Sequence, residues 1–283
     1  MSGLSNHALL MSVNICQWTA RKLDRNETAA VALKHGTNEG VARVNKSLLP
    51  MASSLDNIHK LTGAIRNEYY KVTLPWDEAL RILKADAYLT VAPRFAALKA
   101  EWDTAVNAFL ADYPVLREDA KVFLNSMYRE EDYPEVSQLR DKFRMDISFG
   151  ILPAPEDCSK IATLGEFADT LAQEMTAQYS AREQSAMDEA WERLYQTVIH
   201  AKDRLADPEK PIFSTLFENA REMCAILPSL NISNDPNLEA MRQEVENSLC
   251  QYEAKQVRKN PVFREEAALK MDDIMSKMSA FYG

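Results

Sequence analysis

Few sets of side chains in this sequence have the types and spacing that chemistry requires. The four histidines, His7, His35, His59 and His200, never fall in HxH, HxxxH or HExxH order, and none has a cysteine or carboxylate at ligand spacing beyond what a charged helix gives by chance. Neither a metal nor a cofactor is therefore expected. GxGxxG and the GK[ST] phosphate loop are both missing, which removes the standard nucleotide cradles, and no serine sits in a GxSxG elbow. Carboxylates cluster at Glu130, Glu131 and Asp132 and again at Asp272 and Asp273. Acid–base work needs burial or mutual repulsion to shift one of a pair, and the polar neighbours of both clusters predict solvated faces instead. One cationic group remains, Arg21, Lys22 and Arg25 beside Trp18. Its charges could hold phosphates while the indole stacks on a base.

Charge weighs against a large nucleic-acid interface. The net charge is −9, although residues 1–71 carry +4 and the remainder −13. Nucleic acid is thus not an expected partner, and its binding is kept as the alternative reading, with an affinity that would fall steeply with salt. The four cysteines, Cys16, Cys158, Cys224 and Cys250, are too widely spaced for paired metal ligation and read as buried reduced thiols. The first ten residues hold Leu4, Leu9 and Leu10 but no Lys or Arg, and no run approaches the ~18 apolar residues of a membrane span. A cytoplasmic protein with no signal peptide and no membrane contact is expected.

Only seven glycines in 283 residues argue against a turn-rich β fold, and the apolar spacing is mostly helical. The longest such stretch spans residues 164–205, free of proline and about 60 Å long at ~1.5 Å per residue. Its first seam, Leu164, Ala168, Leu171 and Met175, is separated by the polar residues 180–185 from a second, Met187, Trp191, Leu194, Val198, Ala201 and Leu205. Two different surfaces are expected to pack against its halves, and the helix could bend between them. Trp191 is a second candidate binding residue: exposed, it would mark a partner surface, and buried, it would anchor the second half.

Further helices are expected from Met51 to Tyr69, from Asp77 to Leu83 and through the stripe Val91, Phe95, Leu98, Trp102, Val106, Phe109 and Tyr113. Pro114 is expected to open a separate helix that pairs with that stripe as an αα-hairpin. Pro228 should end the helix after Ser214, while Asp235-Pro236 and Asn260-Pro261 each give a cap followed by proline at the first helical position. Two stretches alternate with period two, residues 13–18 and 143–151. A lone strand leaves backbone donors unpaired, so these two are predicted to pair across more than a hundred residues. The expected fold is mainly α, an elongated multi-helix bundle with a long central helix and a small two-stranded β element. It would divide into residues 1–155 and 156–283, the alternative being one continuous elongated domain.

Three segments, SVNICQWTARKLDR, LPWDEALRILKADAYLTVAPRFAALKAEWDTAVNAFLADYP and FRMDISFGILPAPED, together resemble a family of uncharacterised proteins of tailed phages, prophages and proteobacteria. The resemblance is densest before residue 160. It implies no catalytic residues. By gene association it implies a role beside a MoxR- or cobalt-chelatase-like AAA+ ATPase and a von Willebrand A-type protein. The expectation is a non-enzymatic helical interaction protein, an adaptor or substrate of such an ATPase, with homo-oligomerisation left open. The alternative is a phage nucleic-acid-associated or host-interfering protein using the basic N-terminal region.

Overall fold

The computed structural model describes residues 3–38, 40–161 and 163–282. In chain order its elements are β1 (Ala8–Cys16), β2 (Arg21–Leu23), α1 (Arg25–His35), β3 (Asn45–Ser47), α2 (Ser53–Val72), β4 (Leu74–Pro75), β5 (Arg81–Lys84), α3 (Tyr88–Leu124), α4 (Val136–Arg140), β6 (Arg144–Ile151), α5 (Ala168–Ala206), α6 (Ser214–Leu230), α7 (Pro236–Ser248), α8 (Ala254–Lys259) and α9 (Pro261–Tyr282). The protein is mainly α, with two small β-sheets.

The predicted long-range strand pair is present. β6 lies beside β1, and Ser12 and Ser148 share a hydrogen bond of 2.8 Å between their hydroxyls. The sheet is larger than the two strands expected, with the order β4-β5-β1-β6, and a second sheet pairs β2 with β3. The extra strands come partly from residues 77–83, where a helix was expected. Asp77 does accept backbone N–H groups, from Ala79 at 2.9 Å and Leu80 at 2.7 Å, but as the corner of a turn. Leu74 and Pro75 then pair antiparallel with Ile82 and Arg81. Proline is tolerated because β4 is an edge strand, where its missing N–H faces no partner.

Pro114 does not start a new helix. α3 runs unbroken through Pro93 and Pro114. A proline inside a helix removes one N–H and crowds the preceding turn. Here that cost is offset by packing on both sides of the site, where Tyr113 and Ala120 are fully buried. Pro228 likewise lies inside α6. At the start of α5, Gly165 takes φ +52°, a left-handed conformation in a 3-10 turn, so regular helix begins only at Ala168. α5 is then helical through the polar residues 180–185.

The chain forms two compact units, Met1–Ser12 with Tyr69–Ala92 and Ser148–Gly283, and Val13–Glu68 with Pro93–Ile147. This division differs from the expected boundary at residue 155, because β1, α2, α3 and β6 each contribute residues to both units. In the first unit the core is a helical cluster of Leu194, Val198, Phe217, Leu227, Leu238, Met271 and Met278 with their neighbours. The Met-rich stripe of α9 is core here. In the second, Phe95, Trp102, Phe109 and Tyr113 of α3 are fully buried with Ile58 and Ile65 of α2. Its polar aromatic atoms are satisfied: Trp102 donates to the Thr62 hydroxyl at 3.0 Å, Tyr133 to the Leu48 carbonyl at 2.7 Å and Tyr113 to the Pro134 carbonyl at 2.9 Å.

Candidate functional site

The fold divides the cationic group read from the sequence: Lys22 and Arg25 line one cavity, which Trp18 and Arg21 do not line. Trp18 follows β1, and its ring packs edge-on to Tyr113, centroids 5.9 Å apart, and tilted to Phe109 at 6.4 Å. The indole is thus part of the aromatic core of its unit and is half-buried there. Arg21 and Lys22 are adjacent in β2, so the pleat sends their side chains to opposite faces. Arg25 begins α1, whose N-terminus is already capped: Asp24 Oδ1 accepts from the Asn26 and Glu27 N–H groups at 3.1 Å each.

What the fold does assemble is a polar cavity of about 320 Å³ lined by Lys22, Asp24, Arg25, Lys46, Arg129, Glu131 and Asp132 among others. The antiparallel register of β2 and β3 sets Lys22 directly opposite Lys46. Like charges facing across a ladder repel, and a carboxylate between them is what makes the pair tolerable. Asp132 supplies it, from the 3-10 turn Glu130–Asp132. Lys22 Nζ lies 2.5 Å from its Oδ1 and Lys46 Nζ 2.7 Å from its Oδ2. Lys46 also donates to the Met127 carbonyl at 2.8 Å and stands 3.8 Å from Asp24 Oδ2.

The side chains of Lys46 and Asp132 are 4% and 3% exposed, so this is a buried ion network rather than a binding patch. Burial opposes ionisation of Asp132, and the two ammonium groups outweigh it, holding the carboxyl below the usual aspartate range. The solvated acidic face expected at 130–132 is therefore correct only for Glu130 and Glu131. Nothing in the spacing of Lys46 or Asp132 signals their meeting, because it depends on a register and on a turn eighty-six residues away.

A different kind of surface lies on the N-terminal half of α5. After Ala168, none of residues 169–185 is buried, whereas Ala186, Met187, Ala190, Trp191, Leu194, Val198, Ala201 and Leu205 all are. Two cavities of about 690 Å³ and about 700 Å³ run along the exposed half, and both include Pro155, Glu156 and Thr176. Ala172 and Ala177 keep the helix wall of the first one low, and Tyr179, Ser180 and Glu183 line the second. The polar break in the seam is thus the wall of a cavity. Several contacts hold this half: Cys158 of the 3-10 turn Pro155–Lys160 places its thiol 3.4 Å from Met175 Sδ, Tyr179 packs edge-on to Trp76 at 5.4 Å, and Arg182 lies over the Trp76 ring at 5.5 Å and 3.9 Å from Asp77 Oδ2.

Trp191 belongs to the other half. It is 6% exposed, and its indole N–H donates to Asp235 Oδ2 at 3.0 Å, the same carboxylate whose Oδ1 caps α7 through the Asn237 N–H. As a buried anchor it offers no partner surface. Among the described residues no group of three or more His, Cys, Asp or Glu is placed to hold a metal ion, and no helix is long and apolar enough to cross a membrane. Of the thiols expected to be buried, Cys16 is exposed. No family model, curated protein or solved structure matches the chain.

Proposed function

We propose that this chain is a non-enzymatic helical interaction protein, an adaptor or substrate of a MoxR-type AAA+ ATPase working with a von Willebrand A-type protein. The ATPase enters through the sequence resemblance, and the interaction role is carried by one observation: α5 commits its C-terminal half to the core, whereas its N-terminal half, with two cavities, has no buried residue over 169–185. Asp169, Glu174 and Glu183 give this half an acidic character, and Phe167 beside it is 67% exposed. An acidic helical face with an apolar edge suits a basic partner segment.

The test is direct binding to a MoxR-type ATPase from the same genome, measured in the ATP, ADP and nucleotide-free states. Binding that is lost in Asp169→Lys with Gln173→Lys supports this reading, and no binding in any state overturns it. The nucleic-acid alternative draws on the four cations, Lys22, Arg25, Lys46 and Arg129, that line one cavity. Three carboxylates, Asp24, Glu131 and Asp132, share that cavity and neutralise most of the charge. Tight, steeply salt-dependent binding of single-stranded oligonucleotides, weakened by Arg25→Ala and Arg129→Ala, would displace the interaction reading in favour of the alternative.

A further inference from the structure

Cys224 of α6 and Cys250, just beyond α7, are 26 residues apart in the chain, yet their sulfur atoms stand 3.9 Å apart. Cys224 is buried and Cys250 half-buried, so the pair is reachable by a small molecule from one side. Two arginines fix the backbones that carry them. Arg221 donates to the Cys250 carbonyl at 3.0 Å and to the Tyr252 carbonyl at 2.8 Å. Arg242 reaches the Cys224 carbonyl at 3.5 Å and is itself held by Glu239 and Glu246, each at 2.7 Å. The contact is therefore built by side chains that clamp both segments, and does not rest on one flexible thiol.

We infer that Cys224 and Cys250 form a reversible dithiol–disulfide site that a peroxide oxidises. Cys250 is the attacking sulfur. Its hydrogen bond with the Cys224 thiol, opposed by burial and helped by the Arg221 charge, holds it below the usual thiol range, while the same pairing and burial push Cys224 up. The Cys250 thiolate attacks one oxygen of hydrogen peroxide, the O–O bond breaks, and the departing hydroxide takes up a proton and leaves as water. Cys224 then gives up its thiol proton, and its sulfur displaces hydroxide from the Cys250 sulfenic acid. The S–S bond forms, and that proton and hydroxide leave as a second water. Two thiols lose two electrons, and the peroxide gains them. A thiol reductant restores the pair by exchange.

The experiment uses the full chain carrying Cys16→Ser, because Cys16 is exposed and would cross-link copies. The protein is treated with one equivalent of hydrogen peroxide, denatured, alkylated with N-ethylmaleimide and measured by intact and peptide mass spectrometry. The expected result is loss of two alkylatable thiols and a peptide joining Cys224 to Cys250, both reversed by dithiothreitol. Adding Cys158→Ser leaves the cross-link in place. Adding Cys250→Ser abolishes it. The inference is overturned if Cys224 and Cys250 both stay alkylatable after treatment, or if Cys250 reaches the sulfinic or sulfonic state with no cross-linked peptide.

Discussion

The two halves of α5 share one backbone and similar helix-forming composition, yet one is core and the other surface. From Ala186 onward, Ala, Met, Trp, Leu and Val side chains face α6, α7 and α9 and are removed from water. Before it, the wall positions Ala172, Gln173, Thr176 and Ala177 are small or polar and bury little. Burial at about 25 cal/mol per Å² of apolar surface separates the two, so the C-terminal half carries stability and the N-terminal half contributes little of it. Regularity of a helix is thus a poor guide to what each of its turns does.

That contrast is most exposed to failure at Trp191. Trp191→Ala opens a large hole and leaves the Asp235 carboxylate short of a donor, and is expected to cost about 3–5 kcal/mol, read as a shift in the guanidinium midpoint. A cost below about 1 kcal/mol, the level of an ordinary surface substitution, would show that the C-terminal half is not an anchor. The second unit offers a comparable test at the ion network. Lys46→Met leaves Asp132 and Asp24 buried without their central cation and should cost about 3–5 kcal/mol. Lys22→Met, at a side chain 50% exposed, should cost less than about 1 kcal/mol. Equal costs would mean that burial does not distinguish the two lysines.

The same network has a pH signature. The Asp132 carboxyl is held below its usual range in the folded protein, so its contribution is complete above the unfolded value of about 3.9 and is lost as pH falls through the lower folded value. The urea midpoint of the native protein should therefore fall more steeply below about pH 4 than that of Asp132→Asn. Parallel curves would remove Asp132 as the source. The smallest effect is expected on the exposed half of α5, where Gln173→Lys and Thr176→Lys should change stability by no more than about 0.5 kcal/mol. A large loss there would dissolve the comparison between the halves.

Much of the local structure was legible in the residues. Asp235-Pro236 and Asn260-Pro261 open α7 and α9 as caps should. Period-two alternation located β6 and part of β1. The helix expected over 77–83 became a turn and strand because Asp77 can satisfy either, and pairing with β1 and β4 favoured the second. The αα-hairpin at Pro114 failed because burial on both sides of a proline can exceed the penalty it imposes. The candidate site fared worse. Of the cations, Lys22 and Arg25 line one cavity, whereas the pleat of β2 sends Arg21 to the other face and Trp18 packs into the aromatic core.

What the sequence determined by itself is the mainly α class, the caps of α7 and α9, the buried second seam of α5 and the partnership of β1 with β6, all of which follow from short-range periodicity or from a strand's need for a partner. Tertiary structure alone decided that Lys46 meets Asp132, that Cys224 meets Cys250, and that Trp191 is buried on Asp235 while residues 169–185 stay open. The physical reason is common to all three. Spacing along the chain constrains backbone geometry, whereas burial and charge pairing depend on which distant segments arrive at the same place.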